Sequence, residues 1–221
     1  MNFSLPEATT FDRRVPKARF YEHLDVPASA RRALTSQVKT VWWRNKLAAS
    51  TLHVAAGKSV TEIEVFEVEL QAETLDESVL RLLDVQIPYH ILFVLTREGR
   101  AQAWIGYKEA AGGGDKAFRV VKFYHTDWMP REALRFTLDG LDLDAVYAGL
   151  VRAVRGGADA ADGQPASALA DDVARDIRRE KLGRQIATLA KKLAAEKQPR
   201  RKYDLVHELR RLKGELGEIL G

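Results

Sequence analysis

Cysteine is absent from this chain, and with it go disulfides, cysteine-ligated zinc and thiol catalysis. Histidine is scarce. The five, His23, His53, His90, His125 and His207, are scattered with no close pair at ligand spacing, which leaves oxygen ligands as the way to hold any metal. Long apolar runs are missing too: none approaches the roughly 20 residues that span a bilayer. The opening MNFSLPEATTFDRR has no basic segment followed by an apolar one, so it does not read as a secretory leader. The expectation is a cytoplasmic protein that does not enter a membrane.

What remains is ordinary globular material, 221 residues with 46% hydrophobic and 30% charged side chains, enough for one sizeable core and an appendage. The net charge of +4 hides an asymmetry. Residues 168–221 carry 14 Lys and Arg against 9 Asp and Glu, a net of +5, which leaves −1 for the rest. A basic tail of this kind points either to nucleic acid or an acidic partner, or simply to a solvated helical surface.

The richest local pattern lies in residues 61–70. Ile63, Val65, Phe66, Val68 and Leu70 make a strand-like run, but the acids change register within it: Glu62 and Glu64 oppose Ile63 and Val65, whereas Glu67 and Glu69 share their parity. Burying carboxylates without partners is costly. A β-bulge at Val65-Phe66 would return all four glutamates to one face. On that face they form either a hard-cation site, with Glu62 and Glu64 as candidate ligands for Mg²⁺, or a charged surface paired to Arg119 and Lys122 on a neighbouring strand.

Elsewhere, Pro27 opens a segment in which Ala30, Leu34, Val38, Val41, Ala48 and Leu52 recur at helical spacing. That spacing predicts one helix to Leu52, with Arg32, Lys39, Trp43 and Lys46 on its opposite stripe. Trp43 among cations suits stacking on a base while the cations meet phosphates, or else burial under the N-terminal arm. Thr74-Leu75-Asp76-Glu77 matches a capping box for a helix ended by Pro88. Residues 89–96 read as a buried central strand reached by a parallel crossover. The short 97–100 connection predicts a hairpin into 101–108, and Gly112 to Gly114 a turn into 117–125. A short strand near Phe136 and a closing helix over 143–154 complete the domain.

The fold class is therefore α/β, α+β-like: a mixed, mostly antiparallel sheet of four to five strands with flanking helices. Residues 1–154 form this core, 155–167 a flexible linker, and 168–221 a basic helical hairpin. In the hairpin Leu182, Ile186, Leu189 and Leu193, then Leu205, Leu209, Leu212, Leu216 and Ile219, form two narrow seams. Seams this short must pair with each other, with the core, or with a second copy as a homodimer. Lys191, Lys192, Arg200, Arg201 and Lys202 are its candidate nucleic-acid or partner contacts.

No nucleophile motif accompanies any histidine. Gly106-Tyr107-Lys108-Glu109 has glycine where a Glu-x-Lys nuclease motif has its acid, which weakens a nuclease reading of Glu62, Glu64 and Lys108. In order along the chain, Val15-Pro16-Lys17 with Phe20-Tyr21, Trp43-Arg44-Asn45-Lys46, Ser50-Thr51, Glu62 to Glu67, Ile87-Pro88-Tyr89-His90, Trp104 to Glu109, and Glu196-Lys197-Gln198 before the last seam resemble an uncharacterised bacterial family, domain-of-unknown-function family 4391. The resemblance spans nearly the whole chain. It implies a setting beside helicase and DNA-methylase genes of restriction or phage-defence loci, and it supplies no catalytic residue. The leading expectation is an accessory protein of a DNA-processing assembly with helicase or methylase partners, acting by protein or DNA binding without a cofactor. The alternative is a metal-dependent nuclease using Glu62, Glu64 and Lys108 with Mg²⁺.

Overall fold

The computed structural model describes residues 3–111, 118–156 and 166–220. Its contacts divide the chain into two compact units, Met1–Ala166 and Ser167–Gly221. The triple glycine Gly112 to Gly114 and most of the proposed 155–167 linker lie outside the described residues.

The first unit is a seven-stranded mixed sheet. Its elements run β1 (Thr10–Val15), α1 (Lys17–His23), α2 (Ala28–Gln37), β2 (Val38–Ala48), α3 (Ala49–Leu52), β3 (Glu62–Leu70), α4 (Glu77–Gln86), β4 (His90–Arg97), β5 (Arg100–Ala110), β6 (Phe118–His125), β7 (Met129–Pro130) and α5 (Leu143–Arg155). Strands β1 to β6 lie side by side in chain order, and β7 pairs with the start of β5. Every strand pairing in it is antiparallel except β3 with β4, where α4 makes the crossover. The sheet thus has more strands than the four to five expected, because β1, β2 and β7 were not legible as strands.

The largest departure is β2. The segment expected to continue the Pro27 helix leaves it at Gln37 and runs as an eleven-residue strand. Residues such as Val38, Thr40, Val41, Trp42 and Trp43 favour a strand by bulk and branching. Their alternation is broken twice, at Lys39 and Arg44, where β2 carries one residue more than β3. The bulge expected within β3 therefore sits opposite it. Along Ile63–Glu69, β3 pairs one-to-one with β4, so its side chains alternate without interruption. Glu62 and Glu64 share a face with Phe66, Val68 and Leu70; Glu67 and Glu69 share the other with Ile63 and Val65. The four glutamates do not form one row.

Both faces of the sheet are covered. On the Glu64 face, Phe66, Val68, Ile91, Phe93 and Leu95 pack with Leu34 of α2 and Val79, Leu80 and Leu83 of α4. On the other, Val65, Leu92, Val94, Ala103 and Ile105 are buried, and α5 contacts β5 and β6. Helix α4 starts later than the capping box predicts: Asp76 is the N-cap and accepts a hydrogen bond from Ser78 N. No strand forms near Phe136, whose amide bonds Phe3 O instead. The β4–β5 hairpin is as expected, with Glu98 and Gly99 both at positive φ, 48° and 75°, the type I′ arrangement.

The second unit is a hairpin of α6 (Ala166–Ala195) and α7 (Pro199–Leu220). Its two seams face each other: Leu182, Leu189 and Leu212 are buried, with Ile186, Leu205, Leu209, Leu216 and Ile219 packed around them. Pro199 begins α7, where its missing N–H costs nothing.

Gly99 has open space around its Cα but a left-handed φ. Gly99→Ala should destabilise the chain by about 1 kcal/mol in urea unfolding. A midpoint identical to the wild type would show that the turn does not hold its type I′ geometry in solution.

Candidate functional site

Central position makes β3 the place where charge is hardest to accommodate, and each of its acids has a different solution. Glu62, near the sheet end, pairs with Lys46 Nζ at 2.8 Å. Glu64 is 1% exposed and accepts a hydrogen bond from Trp43 Nε1 at 2.5 Å. Burial pushes the Glu64 carboxyl up to about 9, reinforced by its hydrogen bond to Glu62 and by the Glu62 charge, with Trp43 and Lys46 pulling the other way. Burial also acts to raise Glu62, but Glu64 and Lys46 outweigh it, so Glu62 is held below its ordinary value. At neutral pH the pair is one protonated and one ionised carboxyl.

On the opposite face Glu67, 3% exposed, sits between two guanidinium groups. Arg44 Nε donates to Oε2 at 2.6 Å, and Arg131 reaches Oε1 at 2.6 Å and Oε2 at 3.0 Å. Thr96 Oγ1 adds a hydrogen bond at 3.2 Å. Arg44 is the extra residue of the β2 bulge, so the bulge supplies one of the cations that let a carboxylate remain on a central strand. Glu69 pairs with Lys39.

Lys108 does not serve these glutamates. Its side chain is fully buried with that of Asp84, Nζ lying 2.8 Å from Asp84 Oδ1 and donating to the carbonyls of Asp84 and Tyr89 at 2.5 and 2.6 Å. Burial pushes Asp84 up to about 7 against the pull of Lys108, and burial lowers Lys108 against the pull of Asp84. Gly106 makes the pair possible, because a Cβ there would stand 2.2 Å from Asp84 Oδ2. Tyr147 of α5 stitches the same stretch of β5, accepting from Lys108 N and donating to Gly106 O. His90 packs edge-on against Tyr147 and Phe118, and burial, then the Lys108 charge, drop its imidazole to about 3.

The other expected site residues separate. Arg32 is exposed on α2, Lys39 and Lys46 are paired with Glu69 and Glu62, and Trp43 packs between Phe11 of β1 and Phe66 at centroid distances of 4.3 and 5.8 Å. No single helical stripe unites them, since three of the four lie on β2. Arg119 pairs with Glu109 and, with Lys122, lies on β6, which is not adjacent to β3, so neither caps the glutamate strand. Among the described residues no group of three His, Cys, Asp or Glu could hold a metal ion, and no helix is long and apolar enough to cross a membrane. Asp84, Arg44 and Arg131 escaped the sequence reading. Asp84 alone had a signal, an acid four residues after Leu80 on an apolar helix face.

The hairpin keeps its cations in the open. Lys191, Lys192, Arg200, Arg201 and Lys202 are all exposed, as are Lys181, Arg184 and Lys197. Residues 181–202 contain these eight cations and one acid, Glu196, a net of +7. Glu196 is occupied at the turn, accepting from the amides of Lys197 and Gln198 at 2.9 and 2.8 Å. None of the eight is ion-paired among the described residues. Tyr203 stands beside them, 66% exposed.

Two stability measurements follow from the buried groups. Folded Glu64 keeps a proton that an unfolded glutamic acid releases above its ordinary 4.5, so its contribution falls as pH rises from 4.5 towards 9. Glu64→Gln should flatten that slope, matching the wild type near pH 4.5 and exceeding it at pH 8; parallel profiles would refute the assignment. Lys108→Met should cost about 3–5 kcal/mol, part of it recovered in Lys108→Met/Asp84→Asn. Additive losses in that double-mutant cycle would mean that the two groups do not interact.

Comparison with curated proteins and with solved structures gives no match. The family described as a domain of unknown function, DUF4391, matches residues 3–216. Spanning both units and nearly the whole sequence, that match places the chain in the DUF4391 family.

Proposed function

We propose that this chain is a nucleic-acid-binding accessory module whose helical hairpin docks on a phosphate backbone, within a DNA-processing, restriction or phage-defence assembly. The observation that carries this reading is the net charge of +7 over residues 181–202, displayed on exposed side chains with no acidic partner among the described residues. Local physics alone does not favour that arrangement. Arg200, Arg201 and Lys202 occupy the first turn of α7, where the helix dipole favours anions, and no acid sits there. A local rule broken without compensation within the hairpin suits a partner that supplies the negative charge. Phosphates do so at high density, and Tyr203 adds an aromatic face on which a base can stack. The assembly itself, and helicase or methylase partners in it, rest on the family resemblance.

Fluorescence anisotropy with labelled single- and double-stranded DNA across a KCl series tests the proposal. The wild type should bind with a steep salt dependence. Lys191→Glu/Lys192→Glu should weaken binding at least tenfold and reduce the slope of log K against log salt by about 2. An unchanged slope with the hairpin still helical would remove the hairpin from the interface. Incubation with plasmid and Mg²⁺ or Mn²⁺ covers the nuclease alternative: cutting by the wild type but not by Glu64→Gln would replace this reading.

A further inference from the structure

We infer that the first unit carries a separate binding site for a nucleoside phosphate, in the cleft at the carboxyl ends of β3 and β4. The cleft encloses about 480 Å³, within the roughly 300–1,000 Å³ of small-molecule sites. It lies beside Glu69 and Thr96, at the carboxyl ends of β3 and β4, the sheet's one parallel strand pair. Five cations, Lys39, Arg44, Arg97, Arg100 and Arg131, line it against three acids, Glu67, Glu69 and Glu98.

With Asp12, which also pairs with Arg44, four acids face the five cations and leave a surplus of one positive charge. Both Glu67 oxygens are taken by Arg44, Arg131 and Thr96, so this buried carboxylate acts as a splint that fixes two guanidinium groups in place. Each guanidinium has five N–H donors; Arg44 divides its own between Glu67 and Asp12, and Arg131 bonds Glu67 alone among the described residues. Arg131 Nε is buried with no acceptor among the described residues. At the rim, Arg97 pairs with Glu98, which is 76% exposed, and an exposed pair of this kind exchanges for a ligand at little cost. Arg100 gives one hydrogen bond to Trp128 O at 2.7 Å and meets no carboxylate among the described residues. Pre-oriented guanidinium forks around an excess of positive charge suit phosphate oxygens bidentately. Trp42 supplies the apolar wall: it lines the cleft, half-buried, with the Arg44 guanidinium 4.6 Å from its ring centroid. An aromatic wall beside the forks, in a space of this size, fits a base attached to the phosphate.

Isothermal titration of the full chain with each of the four nucleoside diphosphates, and with adenosine as the phosphate-free control, tests the site. At least one diphosphate should bind with micromolar affinity and adenosine should not. Arg100→Gln and Arg44→Lys should each raise Kd about tenfold or more, with the Arg100→Gln chain still folded at the temperature of the titration. Lys191→Glu/Lys192→Glu should bind the diphosphate as the wild type does, which keeps this site distinct from the hairpin's DNA contact. No heat from any diphosphate at millimolar concentration would overturn the inference. So would a Kd unaffected by both arginine substitutions, or one lost with the hairpin charges.

Discussion

A central strand covered on both faces leaves little surface for a carboxylate, and β3 carries four, of which Glu64 and Glu67 are buried. Much of the first unit's polar structure answers that constraint. Glu64 is neutralised by holding a proton, with Trp43 Nε1 satisfying one oxygen and Glu62 ionised beside Lys46. Glu67 remains on the strand by engaging two arginines from distant parts of the chain, Arg44 from a bulge and Arg131 from the segment after β7. Leaving either acid without these partners would cost several kcal/mol. The partners in turn dictate geometry: the irregularity of β2 and the path of residues 128–131 beside β5 both bring a cation to Glu67.

The same economy of buried charge is repeated in the Asp84–Lys108 pair, with a different consequence. That pair is sealed, with neither side chain exposed, and it ties α4 to β5 where Gly106 leaves room for it. The Glu67 cluster opens onto a cleft. The two differ in access: the arginines of Glu67 line the cleft, whereas Asp84 and Lys108 are closed off from solvent. The hairpin stands apart again, with its cations exposed and its hydrophobic seam turned inward.

How much of this was legible depended on how regular each element is. Strand β4 is a continuous apolar run, the Glu98-Gly99 turn lies between two strand patterns, and the hairpin seams follow a heptad, so each could be read locally. Strand β2 could not. Its two extra residues break the period-two pattern, and what remained coincided with the spacing of a helix running on from Leu34. The irregularity that the glutamates implied was real but sat on the partner strand, because a change of acid parity on one strand can be met either by bending that strand or by bending its neighbour.

By itself, the sequence determined the elements with clean periodicity, the mixed and mostly antiparallel sheet, the basic hairpin and the absence of thiol chemistry, since all of these follow from local spacing and composition. Only the tertiary structure decided the rest: that β3 is covered on both faces, that Lys108 belongs to Asp84 and not to Glu64, and that Arg44 and Arg131 meet over Glu67. The ion pairs among them join residues 23 to 64 positions apart, brought together by strand order and by which face each side chain takes. No local pattern records either, because a carboxylate's partner is chosen by what the fold brings within reach of it when water is excluded.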